Sequence, residues 1–284
     1  MRLCILQDNP SLDGRLFHIE LMSPNPEALA QFYSELYALP LRQRGNEFIC
    51  GDAQRVLLFS RGPAGTLRNG GYAVANEASL EALKARLAAH AIACEPADPD
   101  LYQTGAVALR DPDGNRISFG LPQREAIAAS GPLPGRLQHL VVGSTDAQRM
   151  VDFYANVIGM RISDRVLDEE GGLRTCFLRT DHEHHSFAVF QTSECRLDHH
   201  CYELNEWNDI RDWGDRLAAR RIFVKWGPGR HGPGNNLFLF FHDPDGNWVE
   251  LSAELERVSE ERPIGNWPHE ERTLNSWGQG LLRS

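Results

Sequence analysis

The sequence predicts an α+β protein built as a tandem duplication, and three observations predict it. First, "GRLFHIELMSPNPEALAQFYSELYALPLR" from Gly14 is echoed by "GRLQHLVVGSTDAQRMVDFYANVIGMRI" from Gly135, an offset of 121 residues that holds at His18/His139 and at Phe32-Tyr33/Phe153-Tyr154. Second, "DPDGN" occurs at 111–115 and again at 243–247, an offset of 132. Third, apolar alternating runs take turns with amphipathic stretches of helical period, the order expected of curved sheets covered by helices.

The elements follow in order. Each echoed passage reads as a strand, a turn and a helix, the helices falling near 27–37 and 146–158. Second helices are expected near 78–89 and 207–220, the latter "WNDIRDWGDRLAAR". Asp-Pro-Asp-Gly is sound turn chemistry, because Pro presets φ, Asp bonds nearby backbone and Gly relieves the tight position. Each copy joins two strand-like runs, "GAVALR" to "RISFG" and "NLFLFFH" to "WVELSA", which read as hairpins closing a domain. Four βαβββ modules result, two per half. The expected division is a domain over 1–134 including the Ala/Gly/Pro-rich linker "REAIAASGPLPG", a domain over 135–256, and a tail over 257–284. In that tail Trp267 and Trp277 read as the anchors of a surface strap.

The 284-residue chain is long enough for two ordinary cores, and 42% hydrophobic with 24% charged residues is a globular composition. A formal net charge of -10 argues against a nucleic-acid partner, which would need clustered Lys and Arg. No stretch approaches the about 20 apolar residues of a membrane span. "MRLCILQDNPSLDG" has no apolar run of signal-peptide length, so a cytoplasmic location is expected. Six cysteines without CxxC spacing read as reduced thiols.

Duplication supplies an internal control. Aligning "NGGYAVAN" (69–76) with "DHHCYELN" (198–205) on their final asparagines sets Gly71 against His200. Aligning the strands after DPDGN sets Ser118 against Glu250, while His18 faces His139. The C-terminal half then holds His139, His200 and Glu250 where the N-terminal half holds His18, Gly71 and Ser118, the pattern of a duplicated metal site with one copy decayed. Two imidazoles and one carboxylate with open positions suit non-haem Fe(II) and O2 chemistry. Period-two alternation puts Cys201 on the face opposite His200, which sets it aside as a ligand.

These modules, the His…His…Glu set and "GRHGPGNNLFLFFHDPDGNWVELSA" (229–253) resemble the type I extradiol ring-cleavage dioxygenases of the vicinal oxygen chelate superfamily. The resemblance covers nearly the whole chain. It implies curved mixed sheets enclosing an active site in the C-terminal domain, with Fe(II), or Mn(II) in its place, held by His139, His200 and Glu250. It implies that His185, in "EHHSFAVF", moves protons and that His231, in "GRH", bonds a substrate hydroxyl. Phe187 and Phe240 become candidates for the substrate pocket. Phe240 stands ten residues before Glu250, where the family carries a tyrosine, so one polar handle is missing. The implied partners are an aromatic diol and O2, in a homo-oligomer without nucleic acid or membrane. Two other readings stay open: a metal-dependent isomerase or lyase of the same superfamily, and a metal-free small-molecule-binding protein.

Overall fold

The computed structural model describes residues 11–123 and 131–282. Most of the linker, 124–130, and the first ten residues, with Cys4, lie outside the described residues.

The N-terminal half runs β1 (Gly14–Ser23), α1 (Pro26–Tyr37), β2 (Leu41–Arg44), β3 (Glu47–Gly51) and β4 (Val56–Arg61) as one module. Its second module is β5 (Thr66–Val74), α2 (Glu77–Ala89), β6 (Glu95–Pro96), β7 (Val107–Arg110) and β8 (Arg116–Gly120). The C-terminal half repeats the plan. Its first module is β9 (Arg136–Ser144), α3 (Ala147–Asp152, continued by a π-helical turn over Phe153–Ile158), β10 (Arg161–Leu167), β11 (Leu173–Arg179) and β12 (Phe187–Gln191). The second is β13 (Arg196–Glu203), α4 (Trp207–Ala219), β14 (Val224–Arg230), β15 (Leu237–His242) and β16 (Trp248–Ala253). The chain ends in β17 (Gly265–Pro268) and the short α5 (Glu271–Leu274).

The fold is α+β, with two mixed sheets. One has eight strands in the order β2-β3-β4-β1-β5-β8-β7-β6. The other is the same order, β10-side first, with β17 added beside β10. In both, the two modules meet at an antiparallel pair of first strands, β1 with β5 and β9 with β13. The tail is thus more than a strap: β17 pairs in parallel with β10 from Asp164 to Leu167, and Trp267 Nε1 donates to Asp164 Oδ2 at 2.8 Å.

The helices start where the sequence supplies caps. Asn25 accepts from Ala28 N ahead of Pro26, whose fixed φ suits the first helical position. Asn76 accepts from Ser79 N at 2.9 Å. In α4 the capping position is Glu206, and Asp209 reaches back to accept from the backbone N–H groups of Asn205 and Glu206 at 2.9 and 3.2 Å.

The inward faces of both sheets and helices α1 to α4 share one continuous apolar core. Across it the halves hold each other in a reciprocal clasp. Tyr33 of α1 donates to Asp243 at 2.9 Å, and Tyr154, its echo, donates to Asp111 at 3.1 Å. Arg216 of α4 donates to the Leu36 carbonyl at 2.7 Å, and Arg86 of α2 to the Ile158 carbonyl at 2.8 Å. Each half therefore supplies a cation to the unpaired carbonyl end of the other half's helix.

Two irregularities decide what faces where. Between β9 and β13, Leu197 pairs with Val142 but His199 with Val141, so Asp198 is an extra residue on β13. Further along, Cys201 pairs with His139 but Tyr202 with Leu137, so Gln138 is extra on β9. The N-terminal sheet has both bulges at the echoed places, Arg68 on β5 and Phe17 on β1. A β-bulge re-aims the side chains around it, and these two flank the strand pair on which the candidate site is built.

Candidate active site

Three adjacent strands of the second sheet carry the site. Register sets Cys201 of β13 between His139 of β9 and Glu250 of β16, so these three share a face. His199, two residues along β13, shares it too. His139 Nε2 lies 3.1 Å from Glu250 Oε2, His199 Nε2 lies 3.2 Å from the same oxygen, and the two nitrogens are 3.4 Å apart. All three residues are buried.

His200 is not among them, which corrects the expectation that it completes the set. It points through the sheet into the interdomain core, where its Nε2 meets Tyr33 Oη at 3.2 Å. Burial pushes its imidazole down to about 3, so it sits there neutral. The cause of the slip is visible in the register. The true echo pairs Gly71 with Cys201, because Gly71 faces His18 as Cys201 faces His139, and it pairs Asn69 with His199. The capping residues Asn76 and Glu206 obey the same offset of 130. Matching Asn76 to Asn205 instead moves the strand by one residue, and one residue exchanges its faces.

The bulges explain how each of the two imidazoles is oriented. Bulged Gln138 turns its Oε1 onto His139 Nδ1, while its Nε2 donates to Glu183 Oε2 at 3.1 Å and to the His185 carbonyl. Bulged Asp198 turns its Oδ1 onto His199 Nδ1 at 2.7 Å. Each Nδ1 is thereby held by an oxygen acceptor, which turns each Nε2 toward Glu250 and the place a cation would take. Glu250 keeps Oε2 toward the histidines, while Oε1 accepts from Asn236 Nδ2 at 3.3 Å. Burial works to raise the Glu250 carboxyl, but His139, His199 and His231 outweigh it and hold it well below the ordinary range. His199 goes the other way from ordinary burial: Asp198 and Glu250 raise it despite desolvation. Gln138, Asp198 and Asn236 escape sequence reasoning. The one available signal is a polar residue placed just before each histidine inside an otherwise apolar strand.

A metal–nitrogen or metal–oxygen bond of about 2.1 Å puts neighbouring ligand atoms of an octahedron about 3.0 Å apart. The His139, His199 and Glu250 atoms match that spacing, so the residues present fit a divalent cation with open positions. The Cys201 thiol also lies within 4.8 Å of His139 and Glu250. The His199 Nε2 atom comes closer, 3.2 Å from Glu250 Oε2 and 3.4 Å from His139 Nε2, which makes His199 the better candidate for the third position.

The remaining candidates divide. His185 lies against His139 with ring centres 4.3 Å apart, and burial pushes it well below 6.5. His231 places its Nε2 3.5 Å from Glu250 Oε1, and its Nδ1 donates to the Leu274 carbonyl at the chain's end. Phe240, opposite Glu250 in the ladder, meets the His199 ring edge-on at 5.3 Å. The pocket around these groups is walled by Val141, Phe177, Phe190, Trp226, Leu274 and Leu281. Phe187 is absent from it, against expectation. His184, His185 and Ser186 precede β12, so the strand alternation does not run from His185 to Phe187. Phe187 instead packs in the core on Tyr154, ring centres 4.0 Å apart.

The same places in the N-terminal half are closed by hydrogen bonds. Asn69 Nδ2 lies 3.2 Å from His18 Nε2, Ser118 Oγ donates to Asn69 Oδ1 at 3.1 Å, and Tyr102 Oη lies 3.0 Å from His18 Nδ1. A Cβ at Gly71 would land on the His18 ring. Amide, hydroxyl and phenol take the positions where the other half offers a cation its ligands.

Residues 15–119 and 136–251 each match the family model of the Glyoxalase/Bleomycin resistance protein/Dioxygenase superfamily. Among curated proteins the chain is similar to Metapyrocatechase 2 of Cupriavidus necator, 25% identical over 205 residues, which is 64% of this chain and 63% of that protein. It is also similar to an iron-dependent extradiol dioxygenase of Rhodococcus jostii, 25% identical over 248 residues, 79% of this chain and 81% of that one. Among solved structures, an extradiol ring-cleaving dioxygenase from B. fuscum superposes with a TM-score of 0.81 at 22% identity, covering 96% of this chain and 81% of that one. At that identity the likeness speaks for the fold.

Proposed function

Because the chain belongs to the Glyoxalase/Bleomycin resistance protein/Dioxygenase superfamily, we propose that it is an Fe(II)-dependent extradiol dioxygenase that opens a catechol-type ring with O2. The observation that carries this reading is the set of His139 Nε2, His199 Nε2 and Glu250 Oε2 at 3.1 to 3.4 Å from one another. That is a two-histidine, one-carboxylate face with positions left for a diol and O2. Mn(II) accepts the same ligands. Bound there, the metal supplies a Lewis acid that makes a diol hydroxyl acidic and a redox partner for O2.

The chain's own residues do the rest. Phe177, Phe190, Phe240 and Trp226 sandwich an aromatic ring and exclude water. His185 starts neutral, since burial pushes it well below 6.5, so it first accepts a hydroxyl proton and later returns it. His231, held at Nδ1 by Leu274, presents its Nε2 edge to a substrate oxygen. With phenylalanine at 240 this strand offers the substrate oxygens no hydroxyl, and the imidazoles of His185 and His231 are the polar partners proposed for them. Among the described residues all five cysteines are unpaired, which suits a reducing cytoplasm.

The test is anaerobic purification, reconstitution with Fe(II), and addition of catechol and 2,3-dihydroxybiphenyl in air. One Fe(II) per chain, O2 uptake and a yellow ring-opened product are expected. Metal uptake without O2 consumption would point instead to isomerase or lyase chemistry. Failure to bind any divalent metal would leave a small-molecule-binding protein.

A further inference from the structure

The proton-handling residue His185 is the end of a buried chain of polar groups that begins in the C-terminal tail. Asp164 of β10 has no exposed side-chain surface. Its Oδ1 accepts from Arg262 Nη1 at 2.8 Å and from Gly265 N at 3.1 Å. Its Oδ2 accepts from Trp267 Nε1 at 2.8 Å and lies 2.9 Å from His184 Nε2. His184 Nδ1 in turn lies 3.0 Å from His185 Nδ1, and both rings are buried.

The pattern of donors fixes the hydrogens. Arg262, Trp267 and the Gly265 N–H hold Asp164 as a carboxylate, and with no cation between it and His184 Nε2, 2.9 Å away, a proton on that nitrogen is the arrangement that avoids facing lone pairs. His184 is therefore protonated at Nε2. Arg262 is the cation paired with Asp164, and His184 as the Nε2–H tautomer offers its Nδ1 as an acceptor. The proton shared between the two Nδ1 atoms then belongs to His185. Its Nε2, on the ring edge away from His184, carries a lone pair.

We propose that Asp164 and His184 are positioning residues that hold His185 as the Nδ1–H tautomer, presenting an unprotonated Nε2 to the pocket. This rests on reading His185 as the group that accepts the substrate's proton. The arrangement makes the tail segment 262–267 part of the site's support, although none of its residues reaches the pocket. His184, the other member of the His-His pair, receives a role that strand alternation could not give it.

The experiment reads tautomers directly in the metal-free protein. Histidine is labelled with 15N, and two-bond 1H–15N correlations identify which ring nitrogen of His185 carries the proton, the signal being assigned by its loss in His185→Gln. In the wild type an Nδ1–H pattern is expected; an Nε2–H pattern would overturn the proposal without any further variant. Asp164→Asn turns an amide N–H toward His184, and the His185 pattern is expected to switch to Nε2–H. An unchanged pattern in that variant would equally overturn it. Should Asp164→Asn fail to fold, His184→Phe removes the acceptor while leaving Asp164 with Arg262 and Trp267, and mixed tautomers are expected at His185. In Fe(II)-loaded protein these variants are expected to lose about a hundredfold in kcat with little change in KM. If the loaded wild type opens no catechol ring, the functional reading fails, while the tautomer result still decides the positioning chain.

Discussion

His199 and His200 are neighbours in sequence with opposite fates, and substitution separates them. His199→Gln should abolish tight binding of Fe(II) or Co(II), measured by titration calorimetry on the metal-free protein, with little loss of thermal stability. His200→Gln should retain the metal and lose about 1–3 kcal/mol of stability in a denaturant melt, because Tyr33 and Asp243 keep a disturbed buried network. The meeting of His139 with Glu250 was legible in the sequence, because the repeat and the strand after DPDGN pin them. Which of two adjacent histidines faces the pocket was not. That choice depends on a register one residue finer than the capping asparagine could define, since Glu206 does the work in α4 that Asn76 does in α2. Phe187 was lost for a related reason: the sequence does not mark where β12 begins.

At the scale of elements, bulges and caps carry information that hydrophobic period does not. Asp198→Ala and Gln138→Leu remove the acceptors that hold the two Nδ1 atoms, and each should weaken metal affinity about 10–100-fold while leaving the three ligands in place. Titration of the metal-free variants with Co(II) checks this. Asp209→Ala deprives two backbone N–H groups of their acceptor and should cost about 1 kcal/mol of stability with metal affinity unchanged. The helices themselves were legible to within a residue or two, because the echoed passages and the stretches of helical period mark them. The bulges were not, for a polar residue inside an apolar strand reads equally well as an outward-facing side chain.

At the scale of the whole molecule, the two halves form one folding unit through the shared core and the reciprocal clasp. Tyr154→Phe, far from the pocket, should lower stability by about 1–2 kcal/mol in a single cooperative transition, since it strips Asp111 of a buried donor. The cleft between the halves also carries a pH signature. Glu203 is raised to about 7, chiefly by burial, so the folded state prefers it protonated. Folding loses stability as pH rises from the unfolded carboxylate value near 4.3 towards 7, and the loss is constant above that. Glu203→Gln should therefore stabilise the protein increasingly between pH 4 and about 7, and not at all below, in melts taken across that range. The duplicated bulges have one last consequence, which concerns inheritance. Phe17 and Arg68 stand where the other half has Gln138 and Asp198, so the duplicate has changed the identity of both residues and of two ligands, yet kept the count. Identity has drifted while parity has not: in these strands a further inserted or deleted codon inverts a face unless another bulge absorbs it, and between the two halves the letters have been rewritten while the count has stayed.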